Sequence, residues 1–226
     1  YTSQYTLSLH DALPIYMRII QGCYDENKEQ RPPLLIWNVP LDLDIEEDLL
    51  KKSKGQERYI SYLTDAAEKL EKAGADFLVM PCNTLHIFID EIRDAVDIPV
   101  LNIAEETVNF LKKKGIDRVG ILATSTTINN NLYKEMFKEE GIEQVRPNDF
   151  DQAKIGQLIN NLVLEMHSNK DREGLIDIID KFQDRDVEHV ILACTDLQIL
   201  IPEHENLEIY DTMKIFADST VKKILE

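Results

Sequence analysis

The chain has 226 residues, 43% of them hydrophobic and 30% charged, with a formal net charge of −17. That length fits one large domain or two small ones, and no apolar run approaches the roughly 20 residues of a membrane span. The acidic balance speaks against nucleic acid as a partner, which needs clustered Lys and Arg, and it means that any acidic substrate must be met by local positive groups.

Residues 6–15 read Thr-Leu-Ser-Leu-His-Asp-Ala-Leu-Pro-Ile, which resembles the translation of a common sequencing-library adapter. The stretch has no cationic start, and His10 and Asp11 break its apolar run, so it is not a signal peptide. Residues 1–15 are therefore expected to be non-native and are set outside the fold. Tyr16, Ile19, Ile20 and Cys23 then have helical spacing without a capping residue, as in the tail of a helix.

Strands and helices alternate from there. Leu34–Val39 reads as a strand, and Gln56–Ala73 as a helix with Tyr59, Leu63, Ala67 and Leu70 on one face and Gly74 as its stop. Phe77–Met80 reads as a buried strand, Leu85–Val96 as a helix and Pro99–Asn102 as a short strand. A helix follows to Lys114 and stops at Gly115. The pattern restarts with a strand at Arg118–Ala123, a helix at Asn130–Glu140 and a short strand around Val145. Helices near Asp151–Met166 and Arg172–Phe182, strands at His189–Ala193 and Leu207–Tyr210, and a helix from Thr212 complete it. This alternation predicts an α/β fold with parallel sheets covered on both faces.

Two segments repeat. Phe77-Leu-Val-Met-Pro-Cys-Asn-Thr-Leu is similar to Val190-Ile-Leu-Ala-Cys-Thr-Asp-Leu: an apolar strand, a cysteine, two polar residues, then Leu opening a helix. Cys82 and Cys194 thus sit just beyond the carboxyl ends of parallel strands, where open α/β sheets bind ligands. Two similar halves facing each other would set the thiols on opposite walls of one cleft. Inverting an α-carbon needs proton removal on one face and delivery on the other, and a thiol near a helix start suits both tasks. Asn83, Thr84 and Thr195 follow the cysteines and could hold a substrate carboxylate. Three cysteines far apart form neither a disulfide framework nor a zinc pattern, so free thiols in a reducing cytoplasm are expected. Cys23, on the apolar face of its helix, is assigned to the core.

On Cys82-Asn-Thr-Leu-His86 and Ala193-Cys-Thr-Asp196, the sequence from Tyr16 onward resembles the aspartate/glutamate racemase superfamily. Leu122-Ala-Thr-Ser-Thr-Thr127 and Asp211-Thr212 are also similar to family segments. The resemblance implies two α/β halves related by a pseudo-twofold, with the active site in the cleft between them. The halves would span 16–103 and 104–211, with 212–226 packing back on the first. It implies cofactor-independent racemisation of an amino acid, without pyridoxal phosphate or metal, by Cys82 and Cys194. In that scheme Cys82 serves the D-face and Cys194 the L-face, Thr124 and Thr127 help hold the carboxylate, and the protein forms a homodimer.

Departures bear on the substrate. Ile45 stands where members acting on aspartate carry Arg, and His167, with Lys170 nearby, stands where Lys is frequent. A side-chain carboxylate would lose both partners at a cost of several kcal/mol, which points to a neutral or larger amino acid. The family's first strand and glycine-rich loop are not recognisable before Tyr16. Alternatives on the same scaffold are hydantoin racemisation, maleate isomerisation, arylmalonate decarboxylation, or amino-acid binding without catalysis. His86 and His189 read as structural, Trp37 as core, and the acidic run Asp42–Asp48 as a solvated loop.

Overall fold

The computed structural model describes residues 9–26, 31–41, 45, 57–200 and 204–226. Helix α1 spans Leu9–Glu26, α2 Arg58–Lys72, α3 Ile89–Ala95 and α4 Ile103–Lys114. Strand β1 (Arg118–Ala123) leads into α5 (Ser125–Asn129) and α6 (Lys134–Glu139). Then come β2 (Glu143–Val145), α7 (Asp149–Val163), α8 (Asn169–Gln183), β3 (His189–Ala193), β4 (Glu208–Asp211) and α9 (Thr212–Leu225). Two 3₁₀ turns, Thr84–Phe88 and Thr195–Leu200, follow the two cysteines.

The four strands form one parallel sheet in the order β2-β1-β3-β4. Their inner stretches are buried on both faces, as near-continuous apolar runs such as Val190–Ala193 require. The register pairs Ala123 with Ala193 and Leu192 with Asp211. The chain therefore leaves β1, β3 and β4 at one edge of the sheet, and Thr124 and Cys194 are neighbours there. One face carries Leu158, Leu162, Leu175, Ile179 and Phe182 from α7 and α8. The other carries Val108 and Leu111 from α4 together with Tyr133 and Phe137.

Helix ends follow local chemistry. The Asn102 side chain accepts from the Ala104 amide at 2.8 Å to start α4, and Gly115 at φ 73° ends it. Asn148 caps α7 through the Asp151 amide, and Asp211 caps α9 through the Met213 amide.

The first half is built differently from the sequence expectation. Residues 77–80 and 99–102 contribute a single parallel bridge between Leu78 and Val100, held by Leu78 N to Pro99 O (2.8 Å) and Leu101 N to Leu78 O (3.0 Å). Leu34–Val39 adopts no strand, because it finds no ladder partner among the described residues. Consequently Trp37 is not core: it is 42% exposed, with the Lys69 ammonium 4.8 Å above its ring. Helix α1 begins inside the segment set apart as foreign, and Ile15 is buried. Ile15 packs with Ile19, Cys23, Met213, Phe216 and Val221, so α1 and α9 share one core. Of the helix expected over 130–140, only Lys134–Glu139 forms, because the chain turns at Asn131, whose φ of 55° is left-handed. The acidic run at 42–48 lies outside the described residues save for Ile45.

Candidate active site

Cys82 ends the Leu78 segment and is partly buried, whereas Cys194 directly follows β3 and is buried. Both are thiols, as is Cys23 in the core beneath α9, where burial pushes the pKa of the Cys23 thiol up. The loops of the two predicted catalytic cysteines are tied together. The Asn83 amide donates to Thr212 Oγ1 at 3.0 Å, and Thr212 Oγ1 donates to the Leu192 carbonyl at 2.8 Å. This chain runs from the residue after Cys82, through the first residue of α9, to the strand that ends in Cys194. The Tyr133 hydroxyl donates to Asn83 Oδ1, and burial pushes the Tyr133 pKa up. The Asn83 side chain is thus tied to both Thr212 and Tyr133.

The remaining carboxylate candidates divide. Thr84 Oγ1 lies 3.0 Å from Thr124 Oγ1 and 3.1 Å from Thr127 Oγ1, and Thr124 Oγ1 is 3.0 Å from Thr127 Oγ1. Three hydroxyls from two distant segments thus form a closed triangle. The Thr124 hydroxyl also accepts from the Thr127 amide at 3.1 Å, which fixes the start of α5. Thr195 is buried at the head of the second 3₁₀ turn and makes no hydrogen bond to that triangle among the described residues.

His86 is fully buried, with Nδ1 2.7 Å from the Cys82 carbonyl. Burial pushes its pKa down to about 4, opposed by the backbone carbonyls of Cys82 and Leu101. The imidazole is therefore neutral near pH 7, and because a carbonyl only accepts, Nδ1 carries the proton. His86 orders the Cys82 loop, a role the sequence left as simple packing.

Beside Cys82 an apolar cavity of about 220 Å³ lies between α1, Leu34–Val39, α2 and Leu78–Cys82. Ile45 is buried next to this region, in a cluster with Tyr59, Leu63 and Leu85. His167 is exposed in the turn between α7 and α8, and Lys170 is exposed in the first turn of α8. No group of three His, Cys, Asp or Glu side chains among the described residues is placed to hold a metal ion.

The sequence profile of Asp/Glu/hydantoin racemases matches residues 13–220. The chain belongs to this family. It is 29% identical over 221 residues to the broad-specificity amino-acid racemase RacX of Bacillus subtilis (strain 168), covering 94% of this chain and 92% of that one. It is 26% identical over 181 residues to a glutamate racemase of Hydrogenobaculum sp. (strain Y04AAS1), covering 75% and 67%. An aspartate racemase homologue from Pyrococcus horikoshii OT3 superposes with a TM-score of 0.77 at 25% identity, over 96% of this chain and 94% of that one. Membership places the chain among the isomerases and agrees with the parallel α/β architecture.

Proposed function

We propose that the protein racemises a neutral amino acid, without a cofactor, by a two-thiol mechanism. The α-carboxylate replaces the mutual hydrogen bonds of Thr84, Thr124 and Thr127, which holds the α-carbon between the two cysteine loops. Cys82, as thiolate, removes the α-proton on the D-face, and Cys194, as thiol, delivers a proton on the opposite face. The reverse reaction exchanges their roles. Hydroxyl donors on the carboxylate stabilise the charge that spreads onto it when the proton leaves. Residues 16–103 and 104–211 supply one wall each, and 212–226 clasps them.

The observation that carries this reading is the threonine triangle, in which Thr84 from the Cys82 loop meets Thr124 and Thr127 beside the Cys194 edge. A neutral side chain is favoured because Ile45 is buried among apolar residues and His167 and Lys170 face solvent. The broad-specificity relative agrees with a substrate other than aspartate.

The test is incubation with a panel of amino acids in D₂O, followed by chiral chromatography. Loss of the α-proton signal with appearance of the antipode is expected for neutral members of the panel. Cys82→Ala and Cys194→Ala should each lower racemisation by about 10²-fold or more, the scale of a lost acid/base group. Undiminished racemisation in both variants would refute the mechanism.

A further inference from the structure

The apolar cavity beside Cys82 has peptide groups along two of its walls. Leu34–Val39 runs without helix, turn or bend between Pro33 and Pro40, and every residue of it carries a backbone N–H. Among the described residues its only backbone hydrogen bond is the one that Val39 O accepts from Leu41 N at 2.9 Å. Val79 stands on the opposite wall. Leu78 directs both its N–H and its C=O to residues 99–101, and peptide groups alternate in direction along an extended chain. Val79 therefore turns its own N–H and C=O away from 99–101, and they make no hydrogen bond among the described residues. Val79 and Leu34–Val39 both line the cavity.

The other two walls are helix faces. Leu34 and Val79 pack with Ile15 and Ile19 of α1, whereas Leu78 and Met80 pack with Leu63 and Ala67 of α2. Peptide edges on two sides and apolar helix faces on the other two are the surroundings of a strand buried on both faces, apolar at successive positions. A small apolar molecule would fill the space but leave both peptide edges unpaired, and a charged segment would lose its hydration against α1 and α2.

We infer that this cavity is a binding site for an extended apolar segment of another polypeptide, about five residues long, inserted as a strand between Leu34–Val39 and Leu78–Met80. One edge of the segment pairs with Val79 and the other with Leu34–Val39. Its side chains point alternately to α1 and α2. The inference goes beyond the proposed reaction and does not depend on it.

Trp37, the single Trp of the chain, lines the cavity and reports on it. The probe is a capped synthetic peptide, Val-Ile-Val-Ala-Val between two lysines, added to the unaltered chain. Trp37 emission should shift to the blue and saturate at one peptide per chain. Hydrogen exchange at the Val79 amide, followed by NMR, should slow by about tenfold or more. The same peptide N-methylated at either set of alternate residues keeps its charge and apolar surface but loses the donors of one edge. It should bind about tenfold or more weakly. Equal binding of both methylated peptides, an unmoved Val79 amide, or no saturable shift overturns the inference. So does a Trp37 spectrum that moves with protein concentration alone while the sedimenting mass doubles, which would assign the cavity to a second copy of the chain.

Discussion

Thr84, Thr124 and Thr127 satisfy one another in a ring of hydroxyls about 3 Å apart, which the substrate carboxylate replaces in the proposed mechanism. Hydrogen bonds to a charged group contribute about 1.5–3 kcal/mol each, and 1.4 kcal/mol is tenfold in affinity. Thr127→Val should therefore raise KM by about tenfold or more, with a smaller change in kcat, in steady-state kinetics. His86 bears on stability instead. Its folded pKa of about 4 lies below the ordinary 6.5, so the unfolded chain binds the extra proton in between. The contribution is whole above pH 6.5 and is lost as pH falls toward 4, in all on the order of 3 kcal/mol. Urea denaturation across that window should show stability falling with acid, and His86→Phe should flatten the slope. Family motifs mark Thr84, Thr124 and Thr127 as candidates in the sequence, but do not show that their hydroxyls meet. Nor do they show that Asn83 is committed to Thr212 and Tyr133, since both partners lie far along the chain.

Among the elements, α9 does more than close the chain. Its first residue, Thr212, accepts from Asn83 and donates to the Leu192 carbonyl, joining both cysteine loops at one buried hydroxyl. Thr212→Val conserves shape but strands a buried donor and a buried acceptor, at a cost of about 1–3 kcal/mol each. The variant should melt several degrees lower by calorimetry, and its kcat should fall although no reacting group is changed. Strands and helices of the second half were legible because each carries its own signal. Val119–Ala123 and Val190–Ala193 are uninterrupted apolar runs, and Gly115 marks a left-handed stop. The extended segments of the first half were not. An apolar run such as Leu34–Val39 becomes a strand only when a partner lies alongside, and pairing is a tertiary property that a linear pattern does not carry. The same gap explains why Trp37 was misplaced.

Across the whole molecule the two halves are unequal. A four-stranded parallel sheet, packed on both faces, anchors Cys194 and two of the three threonines. Cys82 stands on a segment held by one bridge beside an apolar cavity of about 220 Å³. Fold class was readable from the alternation of strands and helices, whereas this imbalance follows from strand pairing that composition does not encode. The wall that carries Cys82, held by one bridge, should open locally before the four-stranded sheet does. In high-pressure NMR the amides of Leu78 and Leu101 should lose their native signals while those of Ile121 and Ile191 persist. Simultaneous loss of all four would show that the halves yield as one.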